Sequence, residues 1–204
     1  MRYNSMKRFC LVFFSVFFIA CLYAQQAQTI DQPLESYAYE PIRTGDQHIR
    51  MGLQLDVPLF NLSRSKLISK SNIYPGGSIF LGYTYHIVGK FALGGSLHFS
   101  FYPTRGSNLY FAIPIALTAG YTFTTSRMRF PVSLDLGCSI QSYNETHYAS
   151  IFVRPRAGVF YQWSPEWSFG GDASWNIVPQ WYKNTAYNRI GNFLGIGFAA
   201  RYHF

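Results

Sequence analysis

From residue 193 to residue 204 the chain alternates with a strict period of two. Leu194, Ile196, Phe198, Ala200, Tyr202 and Phe204 fall on one side; Phe193, Gly195, Gly197, Ala199, Arg201 and His203 fall on the other. Successive side chains of a strand point to opposite faces. This segment therefore has one continuously apolar face and one that is mostly small or charged. Seven rows of the same kind precede it, running Ile49–Leu59, Ile79–Ile87, Phe91–Phe101, Leu109–Phe123, Phe130–Ile140, Ile151–Trp163 and Trp167–Ile177. Eight such rows predict an all-β chain.

Which way the rows face is decided by their polar sides. A soluble calycin-like barrel or a sandwich turns its apolar rows inward and covers the other face with Lys and Glu. Here that face is Gly, Ala, Ser and Thr with scattered charge, as in Ala92, Gly94, Ser96, His98 and Ser100, which suits a narrow packed interior. Charged residues make up 13% of the chain and aromatic ones 19%, about half the charge share usual in globular proteins. So little polarity is ill suited to covering a large surface in water. The expectation is an eight-stranded antiparallel up-and-down transmembrane β-barrel.

The N-terminus reads as a secretory signal over residues 1–24: Lys7 and Arg8, an apolar run from Phe9 to Tyr23, then the small Ala24. A competing reading makes Cys21 a lipid-modified N-terminus. Loss of residues 1–24 removes Arg2, Lys7 and Arg8 and brings the formal charge from +8 to +5. Cys10 and Cys21 go with them, leaving Cys138 alone and no intrachain disulfide. Residues 25–45, with Asp31, Glu35 and Glu40 but no periodicity, read as a periplasmic lead-in, and residues 46–204 as the barrel.

An even strand number puts both ends of the barrel on one side. The shortest connections, Val88-Gly89-Lys90 and Ser164-Pro165-Glu166, fall on that side. Longer polar loops are expected at Asn61–Tyr74, Pro103–Asn108, Ser142–Ser150 and Lys183–Asn192, and a turn at Thr124–Arg129. Short periplasmic turns and long external loops are the pattern of outer-membrane barrels. About eleven residues at roughly 3.4 Å rise, tilted by about 40°, span about 28 Å, close to the apolar band such barrels need. Aromatic residues end the rows on both sides, Tyr121, Trp163 and Trp167 below and Phe60, Phe101 and Trp181 above, as suits rings with one wet edge. Pro114 and Pro155 lie in mid-strand, where each removes a ladder hydrogen bond, so a bulge is expected near one or both.

The inward face gathers Arg50, Arg154, Arg156 and Arg201 against Asp56, Asp135 and Asp172. Buried charges must be paired, and an interior of eight strands is just wide enough for side chains. This network therefore reads as a plug, with Asp135 and Asp172 holding the arginines and Asp135 level with Arg156; a charged constriction in a pore is the alternative. His48 and His203 fall side by side if the barrel closes, but no further ligands at metal-site spacing accompany them. No cofactor motif is visible. The basic residues are spread over lumen, loops and turns, which does not favour nucleic acid. Lys66, Lys70, Lys183 and Arg189 suit anionic lipid headgroups or sugars instead.

The terminal row, with Phe198, Ala200, Tyr202 and Phe204 at alternate positions, resembles the closing strand of bacterial outer-membrane barrels. The whole of residues 47–204 resembles small eight-stranded outer-membrane proteins of the OmpA-barrel, OmpX and OmpW kind. Phe111-Ala-Ile-Pro-Ile-Ala-Leu-Thr-Ala-Gly-Tyr-Thr-Phe123 is similar to generic outer-membrane β-barrel domains. The resemblance implies residence in the bacterial outer membrane and contact with its lipid. It also implies insertion by barrel-assembly machinery that reads the closing strand, with periplasmic chaperones on the way. OmpX-like and OmpA-like members imply a structural or surface-interaction role without enzymatic activity, toward a surface ligand the resemblance does not name. OmpW-like members imply a narrow channel for small hydrophobic molecules. His98-Phe99-Ser100 resembles the His-x-Ser pair of outer-membrane lipid A deacylases. No acidic residue to orient a base follows nearby, and both residues point inward.

Overall fold

The computed structural model describes residues 41–63, 66–68, 73–105, 108–143, 146–180 and 188–204. The expected signal, the lead-in up to residue 40, and Lys70, Trp181 and Lys183 lie outside the described residues. The described chain forms β1 (Gln47–Ser63), β2 (Lys66–Ile68), β3 (Gly76–Val88), β4 (Phe91–Pro103), β5 (Leu109–Thr125), β6 (Met128–Tyr143), β7 (Thr146–Gln162), β8 (Trp167–Gln180) and β9 (Arg189–His203). No helix among these residues is long and apolar enough to cross a membrane.

Every strand but the three-residue β2 pairs antiparallel with a neighbour on each side, in the order β1-β3-β4-β5-β6-β7-β8-β9. The ring closes where β1 meets β9, with Ile49 opposite Tyr202 and Leu55 opposite Ile196. β2 folds back on the upper end of β1, pairing Leu62 with Leu67. The result is a closed, all-antiparallel barrel of eight long strands. Closure leaves no unpaired edge, so every strand finds its backbone partners within the ring.

The period-two rows set the two faces as expected. Leu53, Leu117 and Phe198 are 64%, 78% and 63% exposed, whereas Asp135 is 0% and Arg154 2% exposed. Polarity is thus reversed relative to a water-soluble domain. A soluble chain exposing such rows would present a far larger apolar patch than monomers in water carry; facing lipid, the same rows are matched to their surroundings.

Two tight turns at the lower rim, where β1 starts and β9 finishes, share one construction. Val88 pairs with Phe91 around Gly89-Lys90, and Thr125 pairs with Met128 around Ser126-Arg127. In each the first central residue is left-handed, Gly89 at φ 48° and Ser126 at φ 51°, as two-residue hairpins demand. The end of the lead-in is tied to the first of these turns, Gly45 donating to the His86 carbonyl at 2.8 Å and Gly89 to Thr44 Oγ1 at 3.0 Å.

Two expectations are corrected. The strands run further than the loop limits allowed: β1 reaches Ser63, β6 and β7 extend to Tyr143 and from Thr146, β9 begins at Arg189, and Arg129 belongs to β6 rather than to a turn. Backbone pairing continues past the apolar rows, so hydrophobicity alone underestimates strand length. Nor is there a register shift at Pro114 or Pro155. Pro114 keeps its pairing with Ser139 and Pro155 with Leu134, while the ladders to β4 and β8 each skip two pairs and resume in the same register. Each strand amide serves one neighbour only, so a proline interrupts one ladder and leaves the other in register. The irregularities lie elsewhere, between Pro58 and Phe60 and between His86 and Val88.

Candidate functional site in the barrel lumen

The lumen is stacked in three levels. The middle level is built on cross-strand neighbours. Asp135 on β6 stands directly between Thr118 on β5 and Arg154 on β7 and binds both. Thr118 Oγ1 donates to Oδ1 at 2.8 Å, and Arg154 donates through Nε and Nη2 to Oδ2, each at 2.9 Å. Arg154 also reaches Ser96 Oγ at 3.2 Å on the far side of the barrel. Arg156 adds a longer contact to Asp135 Oδ1, at 3.4 Å, and donates to Ser133 Oγ at 3.1 Å. Asp135 is thus held more closely by Arg154, its direct cross-strand partner, than by Arg156, which is opposite Ser133; the expectation that Asp135 lies level with Arg156 is corrected.

The second ion pair crosses a strand. Arg50 on β1 binds Asp172 on β8, reaching over β9 between them. The inward residues of β9 here are Gly195, Gly197 and Ala199, and their smallness is what opens the way. A Cβ on Gly197 would stand 3.3 Å from Asp172 Oδ1, and one on Gly195 2.3 Å from Gln54 Nε2 and 2.5 Å from Ser174 Oγ. The Gln54–Ser174 hydrogen bond, 3.4 Å, crosses β9 through the same gap. The Arg50 guanidinium also lies 4.1 Å from the centre of the Phe80 ring, a cation–π distance.

Two members of the expected network stand outside the ion pairs among the described residues. Asp56 accepts from Gln54 Nε2 at 2.5 Å and Ser78 Oγ at 2.8 Å, neutral donors rather than arginine. Arg201 is opposite Arg50 across the closing seam; like charges in that relation repel, and its guanidinium packs 3.5 Å from the Phe160 ring centre instead. The expectation that all seven charges form one network is corrected to two clusters, Asp135 with Arg154 and Arg156, and Asp172 with Arg50.

The upper level is apolar. Tyr102, Ala116, Phe152, Val178 and Phe193 form one buried cluster, with Ile73 and Tyr110 packed against it. Tyr102, Phe152, Val178 and Phe193 border a cavity of about 20 Å³ closed on other sides by Ala112, Pro114, Ser139, Gln141 and Asn176. A space of that size takes about one water. His98 and Ser100, the deacylase-like pair, lie inside the barrel at 1% and 4% exposure. His98 packs against Phe80 with ring centres 5.2 Å apart, so neither residue faces the lipid.

The lower level holds His48, His86 and His203, with ring centres 5.7 Å apart for the first two and 5.4 Å for His48 and His203. Arg129 donates to Gln162 Oε1 at 2.9 Å and lies 3.5 Å from His203 Nδ1; Ser168 Oγ is hydrogen-bonded to His203 Nε2. Among the described residues no group of three or more His, Cys, Asp or Glu is placed to hold a metal ion. His86 and Arg129 were missed in sequence, though the signal was present. His86 shares the phase of Ser78 and Phe80, and Arg129 that of Ser133 and Asp135.

Comparison with known proteins agrees with this architecture. A protein-family model matches residues 25–202. A Treponema pallidum (strain Nichols) protein, named only as uncharacterized, is 36% identical over 177 residues, covering 82% of this chain and 81% of its own. A Borreliella burgdorferi protein, named in the same way, is 26% identical over 156 residues, 64% of this chain and 73% of its own. Among solved structures, Neisserial surface protein A superposes with a TM-score of 0.59 at 15% identity, over 78% of this chain and 99% of its own. The Pseudomonas aeruginosa outer membrane protein OprG gives 0.54 at 12% identity, over 80% and 98%. At such identities the likeness is one of fold: that of the small eight-stranded outer-membrane barrels.

Proposed function

The chain belongs to the family that includes its 36%-identical Treponema pallidum relative, and from that premise we propose that it is an integral protein of a bacterial outer membrane with a structural or surface-interaction role. The lower rim then faces the periplasm, and the connections above β1, β4, β6 and β8 face outward. Export by the signal over residues 1–24 and insertion by assembly machinery reading Phe198, Ala200, Tyr202 and Phe204 belong to the same reading, as do periplasmic chaperones and a surface ligand still to be found. One observation carries it: an apolar outer face encloses a lumen crossed at mid-height by two ion-pair clusters, Asp135 with Arg154 and Arg156, and Asp172 with Arg50. Groups so paired and desolvated oppose water and solute passage rather than guide it. No catalytic grouping enters this reading.

Planar-bilayer recording on refolded protein tests it. The expected result is a membrane that stays silent while the same sample shows heat-dependent gel mobility. Steady unitary conductance, altered in ion preference by Asp135→Asn, would turn the reading to a narrow channel.

A further inference from the structure

The lower level differs from the middle one in its charge balance. Arg50, Arg154 and Arg156 each meet a carboxylate. Arg201 is as deeply buried, 6% exposed, yet makes no ion pair among the described residues, and its Nε has no hydrogen-bond partner. Around it His48 and His86 are 5% and 2% exposed, with His48 Nδ1 and His86 Nε2 also lacking partners. His48 and His203 are direct cross-strand neighbours, and Arg201 is two residues from His203 on the same inward face. Arg129 brings a second guanidinium into contact with His203.

The carboxylates nearest along the chain are turned to other uses. Asp172 meets Arg50 through Oδ2 and makes no hydrogen bond to Arg201, and Asp46 Oδ2 accepts from the Arg43 amide at 2.7 Å. Glu166 offers the rim its backbone carbonyl, which accepts from the His203 amide at 2.7 Å. A buried guanidinium without an acid is costly. What would relieve it is an acceptor of negative charge with several lone pairs, and a tetrahedral oxyanion matches both the guanidinium fork and the imidazole N–H groups. His86 Nδ1 lies 3.2 Å from the Asp46 carbonyl and so carries the proton there, and His203 is held by Arg129 at Nδ1 and by Ser168 at Nε2. His48, whose Nδ1 has no partner, can place its one proton on that nitrogen and donate to such a guest without gaining charge.

We propose that the lower rim of the lumen, between Arg201 and His48, His86 and His203, is a binding site for one small inorganic oxyanion of the phosphate or sulfate class. An interior enclosed by eight strands is about wide enough for side chains, which favours a small guest over a lipid headgroup still attached to its chains.

The test is titration of inorganic phosphate into the refolded full barrel in neutral detergent, after dialysis into phosphate-free and sulfate-free buffer. It is followed by calorimetry and by the urea midpoint of unfolding. The expected result is saturable binding at one site and a midpoint that rises with phosphate, as any ligand of the folded state requires. Arg201→Gln should weaken binding tenfold or more and abolish the midpoint shift, Arg201→Lys should weaken it less, and Arg156→Gln, one level up, should leave it within twofold. If Arg201→Gln does not refold, judged by heat-dependent gel mobility, His48→Gln and Arg201→Lys carry the same comparison. Absence of saturable binding by the unaltered barrel overturns the proposal. So does binding that is unchanged in both Arg201→Gln and His48→Gln.

Discussion

The middle and upper levels of the lumen are both built from inward strand positions, on β7 and β8 from the same strands, and fill them in opposite ways. At mid-height the positions are Arg50, Asp135, Arg154, Arg156 and Asp172, joined in ion pairs and capped by Thr118, Ser96 and Ser133. Toward the upper rim the inward positions are Tyr102, Phe152, Val178 and Phe193, packed on each other around a cavity of about 20 Å³. On β7 the two chemistries are adjacent: Phe152 and Arg154 are consecutive inward residues, with the guanidinium 5.2 Å from the ring centre. Period-two patterning states which way a side chain points. It leaves open whether the inward slot is filled by charge or by ring, and that choice decides what each level contributes.

The largest effect is expected at mid-height. Asp135→Ala leaves Arg154 buried without its acid, and losing one partner of a buried pair costs about 3–5 kcal/mol. Urea unfolding in detergent should show this loss, and the double variant Asp135→Ala with Arg154→Ala should recover part of it, because the stranded charge goes too. Equal stability of the single and double variants would mean that the pair does not hold the level together.

A smaller loss is expected where the upper level depends on close approach. A Cβ on Gly76 would stand 2.2 Å from the Phe101 carbonyl oxygen and 2.5 Å from the Tyr102 ring. Backbone cannot move aside as a flexible side chain can, so Gly76→Ala should cost about 1–3 kcal/mol. A neutral result would show that Tyr102 can leave its place over the glycine, and that the upper level is looser than the middle one.

Filling the cavity should act in the other direction. Ala112 borders it and is 5% exposed. Ala112→Val adds two methyl groups of a β-branched side chain that suits a strand, for an expected gain of about 0.5–1 kcal/mol, read from the same urea transition. A loss instead would indicate that the space is already used, most simply by an ordered water bound to Gln141 or Asn176.

The barrel, its closure and the facing of each row were legible in the sequence because lipid demands an unbroken apolar row on every strand. Asp135, Arg154 and Asp172 were legible as interior for the same reason. The lumen's rings were not. Phe80, Tyr102, Phe152, Phe160 and Phe193 lie in the polar phase, and aromatic residues on that phase carry no mark distinguishing a packed interior from a membrane boundary. Partner choice was equally hidden. Counting along the strands predicts Asp135 level with Arg156, but the register sets Asp135 opposite Arg154 and Arg156 opposite Ser133. Arg201 was paired by expectation with an acid, yet the short inward residues of β9 let Arg50 reach Asp172 first. That outcome depends on side-chain reach across a small-residue strand, which spacing along one chain does not encode.

A comparably small effect on stability is expected outside all the lumen levels, at the end of β9. Phe204 is 59% exposed, and its ring packs on Tyr202 with centres 6.1 Å apart. Its backbone makes one bond, from its amide to the Gln47 carbonyl at 3.2 Å. Deleting Phe204 therefore removes about one net hydrogen bond, about 1 kcal/mol, together with a ring that faces lipid in the folded barrel. Refolding into detergent and the urea midpoint should change little. If the terminal aromatic row is read during insertion, the amount of folded protein in the membrane fraction of expressing cells should nonetheless fall severalfold, and Tyr202→Ala should lower it as well. The same deletion thus separates a residue that holds the barrel together from one that delivers it. Normal insertion of the deleted chain would remove the assembly role, while a large loss of stability in vitro would move Phe204 into the closing seam itself.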